Sequence, residues 1–130
     1  MKKKGFTLIE LLAVIVILAI IALIALPIIL NIIEDAKEGA AKTSAYGYVT
    51  ALGNKIAQDH LNNIETIPNN GILEDLSKVK VDGNAPNSGW VLIRNGVVKE
   101  YSLYIDGYTI TKTEDKVEVE KGENIKEQPK

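Results

Sequence analysis

Residues 5–30 read GFTLIELLAVIVILAIIALIALPIIL. From Leu11 to Leu30 there are 20 residues without a charge and, Pro27 apart, all are Ala, Val, Ile or Leu. At about 1.5 Å of rise per residue, such a helix covers roughly the 30 Å hydrocarbon core of a bilayer. The run is longer than the ~7–15-residue core of a cleaved export signal. The residues after it, Asn31-Ile32-Ile33-Glu34-Asp35, offer no small-residue cleavage pattern. The stretch therefore reads as one retained span. Lys2, Lys3 and Lys4 precede it and place the N-terminus in the cytoplasm, with everything beyond about Asn31 outside.

Two residues do not suit a plain anchor. Glu10 is a carboxylate between Phe6-Thr7-Leu8-Ile9 and Leu11. An acid at the centre of a span costs about 2.5–3.5 kcal/mol on insertion scales and less near an end. Pro27 brings no amide hydrogen, and its ring crowds the carbonyl of Leu23, so it should loosen the helix there.

The order Lys2-Lys3-Lys4-Gly5-Phe6-Thr7-Leu8-Ile9-Glu10-Leu11-Leu12 resembles the processing and assembly signal of type IV pilins and pseudopilins. The resemblance is specific over residues 1 to about 33 and only architectural beyond. It implies a leader of residues 1–5, cut by a membrane-embedded prepilin peptidase between Gly5 and Phe6, with Phe6 then N-methylated. It implies that Glu10 is the family's assembly glutamate, pairing with the Phe6 amine of a neighbouring subunit, and that Pro27 is the helix-loosening proline. The implied partners are further copies of the chain in a homopolymeric filament, the peptidase, an assembly platform with its ATPase, and membrane lipid before assembly. The implied location is the inner or cytoplasmic membrane, then a cell-surface filament.

Beyond Leu30 the pattern stays helical but becomes amphipathic, over residues 31–62. Ile29, Ile33, Ala36 and Ala40, then Ala45, Tyr48, Val49, Leu52 and Ile56, mark an apolar stripe, while Glu34, Asp35, Lys55 and Asp59 fall on other faces. His60, near the helix end, reads as solvent-exposed.

Residues 63–121 read as a loop followed by a small antiparallel sheet. Ile64 to Gly71 is a loop, Ile72 to Leu76 a helical turn, and Lys78 to Val81 a short strand. A further loop leads to strands Trp90 to Arg94, Val97 to Ile105, Tyr108 to Thr113 and Lys116 to Glu120. Asn95-Gly96 and Asp106-Gly107, with Glu114-Asp115 as a weaker third, supply the hairpin turns. Two-residue turns would set Leu92 opposite Lys99, Trp90 opposite Tyr101, Ile105 opposite Tyr108, Leu103 opposite Ile110, and Ile110 opposite Val119. One face then collects Trp90, Leu92, Tyr101, Leu103, Ile105, Tyr108, Ile110, Val117 and Val119, with Lys99 and Lys112 as misfits. Val91, Ile93, Val98 and Tyr104 are misfits on the other, polar face. The expected class is α+β, a long N-terminal helix packed on an antiparallel meander, with residues 122–130 as a loose tail.

The chain carries 15 basic and 17 acidic residues, and without the three leader lysines the balance is 12 against 17. That disfavours coating a nucleic acid, and no direct nucleic-acid binding is expected. Cysteine is absent, which excludes disulfides, thiolate metal sites and cysteine nucleophiles; His60 is the single histidine, which leaves His-based metal clusters and Ser-His-Asp triads little to work with. No phosphate-cradling or nucleophile motif appears; no enzyme activity and no cofactor are expected. Asp82, Asn84 and Asn87 could offer oxygens to calcium, but their spacing is not that of an EF-hand loop. Two other readings remain open: a pseudopilin of a type II secretion or DNA-uptake apparatus, and a monomeric single-pass anchor displaying a binding module.

Overall fold

The computed structural model describes residues 5–129; Lys2, Lys3 and Lys4 of the expected leader lie outside the described residues. The elements follow in the order α1 (Leu8–Leu61), β1 (Gly71–Leu73), a 3-10 turn (Leu76–Lys78), β2 (Ser88–Arg94), β3 (Val97–Ile105), β4 (Tyr108–Lys112) and β5 (Val117–Lys121). The class is α+β, as expected. Packing divides the chain into residues 1–36 and 37–130.

In the first unit every described residue is helical from Leu8 onward, and all but Ala25, which is half-buried, are exposed. The exposed side chains include Ile33 at 44% and Leu23 at 77%. The expected stripe is thus not buried at Ile29, Ile33, Ala36 or Ala40. It starts at Ala41 and continues through Ala45, Tyr48, Leu52 and Ile56.

In the second unit these helix residues form one core with Ile67, Leu73, Leu76, Val79, Val91, Ile93, Tyr101, Leu103, Ile105, Tyr108 and Ile110. The five strands lie in sequence order, every neighbour antiparallel. Asn95 and Gly96 have φ of 53° and 75°, and Asp106 and Gly107 have 51° and 87°. Left-handed backbone at both central positions is the hairpin geometry that suits strand twist, and Asn-Gly and Asp-Gly enter it at little cost.

The expected pairings of Ile105 with Tyr108, Leu103 with Ile110, and Ile110 with Val119 are all present. The β2–β3 pairing differs. Ile93 faces Val98, but Leu92 faces Glu100, and the register shifts between them. Lys99 is the extra residue of a β-bulge, which turns the rest of the pair over by one position. Val91 therefore meets Tyr101, and Trp90 meets Ser102. Val91 and Ile93 belong to the helix-facing core, whereas Trp90 and Leu92 lie on the opposite face. The bulge removes four of the misfits: Lys99 leaves the apolar face, and Val91, Ile93 and Val98 join it; Lys112, opposite Tyr101 and Val117, and Tyr104, opposite Thr109, stay on the faces expected for them.

Trp90 and Leu92 are nonetheless buried, as are Ser102, Thr109 and Thr111 beside them. The segment after β5 reaches three of them, Thr109, Ser102 and Trp90. Thr109 Oγ1 donates to the Gly122 carbonyl (2.7 Å) and accepts from the Asn124 amide (2.8 Å). The Lys126 amide donates to Ser102 Oγ (3.1 Å), and the Trp90 indole donates to the Lys126 carbonyl (2.7 Å). Instead of hanging loose, residues 122–128 form a strap across the sheet.

Neither Ile72 to Leu76 nor Lys78 to Val81 takes the form expected of it: the helical turn falls at Leu76–Lys78, and Val79 to Val81 form no strand. Gly71 to Leu73 is the strand, pairing with β2. The turn comes later because the Asp75 carboxylate accepts from the Ser77 amide and caps it there. Val79 is buried as a loop residue of the core.

The end of α1 is closed by Asn63 at φ 56°. The Ile64 amide bonds to the Asp59 carbonyl (3.0 Å) and the Asn63 amide to that of His60 (3.3 Å), the pairing that satisfies the last carbonyls of a helix. Asp59, expected on a polar face, is only 3% exposed. Its Oδ2 accepts from the Thr66 hydroxyl and from the amides of Thr66 (2.9 Å) and Ile67 (3.3 Å). Its Oδ1 pairs with Lys55 at 3.0 Å. The Thr66 hydroxyl, with help from Lys55 and the two amides, holds this carboxyl below the usual carboxylate range despite burial. A carboxylate whose pKa is depressed on folding stabilises the fold above its unfolded pKa of about 3.9, and that contribution fades as the pH falls through the folded value. Thermal melts of the chain in detergent should therefore weaken progressively below about pH 4. Asp59→Asn should melt lower at pH 7 and show a shallower acid dependence; parallel pH curves for the two proteins would contradict this role.

Candidate functional site

Gly5, Phe6 and Thr7 lie outside regular structure and are exposed, Phe6 at 86%. Among the described residues, no atom beyond its chain neighbours approaches within 4 Å of where a Gly5 side chain would begin. The Gly5–Phe6 bond is therefore accessible, immediately before α1.

Thr7 starts the helix. Its carbonyl accepts the Leu11 amide at 3.1 Å. Its Oγ1 accepts the Glu10 amide at 3.1 Å, and the Glu10 carboxylate accepts the Thr7 amide at 3.3 Å through Oε2. This is a capping box, in which two amides with no partner inside the helix are satisfied reciprocally. The signal Thr-x-x-Glu stands in the sequence at Thr7 and Glu10, but reading Glu10 only as a charge within a span overlooks it. The box turns the carboxylate toward the chain's N-terminal side, where a negative group also suits the helix dipole.

Pro27 lies inside α1, which continues through it. It supplies no amide hydrogen to the Leu23 carbonyl. Among the described residues this one helix is long and apolar enough to cross a membrane, with none of its most apolar stretch buried. An exposed apolar surface of this length is far beyond what a monomer leaves to water.

The remaining candidates are not gathered into a site. His60 is exposed in the last turn of α1. Asn84 donates to Asp106 at 2.7 Å, and the Asn87 amide bonds to the Tyr104 carbonyl at 2.8 Å. Among the described residues no group of three or more His, Asp or Glu is placed to hold a metal ion. The acidic neighbours Glu34-Asp35, Glu74-Asp75 and Glu114-Asp115 are exposed.

No curated protein and no solved structure matches the chain. Residues 1–26 match the family model of the prokaryotic N-terminal methylation motif. The match ends one residue before Pro27 and takes in Gly5, Phe6, Thr7 and Glu10. The chain thus carries a type IV pilin, prepilin-type signal on the segment that leads into its long apolar helix.

Proposed function

We propose that this chain is a structural subunit of a type IV pilus-like filament. The observation that carries this reading is a coincidence in one segment. The methylation motif on residues 1–26 falls on a helix whose large apolar side chains are exposed. The membrane covers that surface first, and the helices of neighbouring subunits cover it afterwards. Prepilin peptidase cuts after Gly5, and the new Phe6 amine is methylated. Within a single chain the Glu10 carboxylate is held by the Thr7 amide. Exchanging that hydrogen bond, worth about 1 kcal/mol net, for the ammonium of a neighbour's Phe6 is favourable where apolar helices exclude water. Pairing also relieves two otherwise unmatched charges. The protein's own residues bring no reaction chemistry to this role. Its helix packs, Glu10 sets the register between copies, and the outer α+β unit is displayed.

Processing is tested by intact mass spectrometry of the membrane and surface fractions. The expected species begins at Phe6 and carries one added methyl group. A mature chain retaining Lys2 to Lys4, or one cut after residue 30, would overturn the assignment.

A further inference from the structure

The strap over the outer sheet face is held in a way that does not depend on its own side chains alone. Besides Gly122, whose carbonyl accepts the Thr109 hydroxyl, three of its contacts use its backbone. The Asn124 and Lys126 amides donate to the hydroxyls of Thr109 and Ser102, and the Lys126 carbonyl accepts the Trp90 indole. The two amides are two residues apart, the spacing at which an extended segment turns alternate groups to one side. Side-chain pairs fix the direction: Glu123 to Ser88 (3.0 Å), Gln128 to Glu74, and Lys126 to Glu120 (2.8 Å). Beneath lie Trp90 and Leu92 and the hydroxyl pair Ser102–Thr111 at 3.0 Å, all buried. An uncovered face would expose two large apolar groups to water and take the strap from the Ser102 and Thr109 hydroxyls. The segment pivots on Gly122, at φ 88°, whose amide is tied to the Gly107 carbonyl at 2.7 Å. With no cysteine in the chain, nothing covalent holds the strap down.

We infer that the outer face of the sheet is a peptide-binding surface, with Trp90, Ser102 and Thr109 as its reading groups, and that its second occupant is residues 122–128 of another copy. The two occupants are identical in sequence, so the hydrogen bonds that Asn124 and Lys126 give up within one chain are remade between chains. Neighbouring copies held close together would exchange straps by mass action, at an effective concentration set by their spacing. The surface requires only a second copy and stands independently of the filament reading.

Trp90 is the single tryptophan and lies under the strap, so its emission reports occupancy. The test uses the chain in detergent with residues 122–130 deleted, to which a dansyl-labelled peptide of the sequence 122–130 is added. Deletion should shift Trp90 emission to longer wavelength. The peptide should restore it, with energy transfer to the label. The same peptide N-methylated at Asn124 and Lys126 lacks the two donating amides and should bind at least tenfold more weakly. Equal binding of both peptides, or no binding to a folded truncated chain, overturns the proposal. A second protein covers the case in which truncation unfolds the sheet. Lys126→Pro in the intact chain removes one amide of the resident strap and leaves the receiving surface unchanged. It should take up the labelled peptide at concentrations where the natural chain takes up none. Absence of transfer to Lys126→Pro overturns the proposal equally.

Discussion

Glu10→Leu is expected to be made, inserted and cleaved normally and yet to yield few or no filaments. The substitution removes a desolvated acid from the edge of the membrane run, so insertion should improve, not suffer. Cleavage acts on Gly5–Phe6 before assembly and should persist. Two losses follow. The Thr7 amide gives up its capping partner at 3.3 Å, at about 0.5–1 kcal/mol for a half-lost box on an exposed helix end. In the filament each Phe6 amine is left without a carboxylate among apolar helices, and breaking one partner of a buried pair costs about 3–5 kcal/mol, repeated at every subunit. The second loss is several times the first and decides the outcome. Filament yield is measured by shearing cells that lack the natural subunit. Normal yield from Glu10→Leu would remove the pairing role. Thr7→Val separates the two effects, because it breaks the box and keeps the carboxylate; it should assemble.

Gly89→Ala should cost the outer unit much of its stability. Gly89 sits at φ 131° in β2, paired with Leu103 of the central strand β3. A Cβ there would lie 2.1 Å from the Ser102 carbonyl oxygen and 2.9 Å from Leu103 Cα. Both atoms are backbone in a strand bonded on two sides, so neither can move aside alone. Strain of about 1–3 kcal/mol from the disfavoured backbone and about 1–3 kcal/mol from overpacking would add. Against a domain stability of roughly 5–15 kcal/mol, this is a large share. The melting temperature of the chain in detergent should fall by well over about 5 °C. Gly53→Ala is the opposite control. It lies on an exposed turn of α1 with no atom within 4 Å and should gain up to about 1 kcal/mol. Equal melting of Gly89→Ala and the natural chain would refute the close approach.

What the sequence discloses and what it hides follows the range of the interactions. The apolar run, the hairpin turns and two of the strand registers are local. Asn95-Gly96 and Asp106-Gly107 state their own geometry, and strict alternation in β4 and β5 carries it onward. The bulge at Lys99 has no local signature, because it answers a demand set across the sheet: Val91 must meet Tyr101 over the helix. Its trace is the set of misfits that a regular register produces, a lysine inside and Val91, Ile93 and Val98 outside. The strap escapes a sequence reading for a similar reason. Residues 122–128 are polar enough to suit water, and their order depends on groups distant in sequence, the buried hydroxyls of Ser102 and Thr109 and the Trp90 indole. Asp59 reads as one charge among several on the helix, and its burial depends on a loop that returns only at Thr66 and Ile67. At the processing segment, the residue types that define the signal are legible at once. The Thr7–Glu10 box is equally present in the sequence, and it is obscured when Glu10 is read through the membrane alone.

Polymerisation of the chain is measured by electron microscopy of whole cells labelled with an antibody against the outer unit. The expected result is thin surface fibres decorated along their length and missing from cells that lack the chain. The chain confined to the membrane as single copies, with no decorated fibre in cells that make and cleave it, would contradict the account.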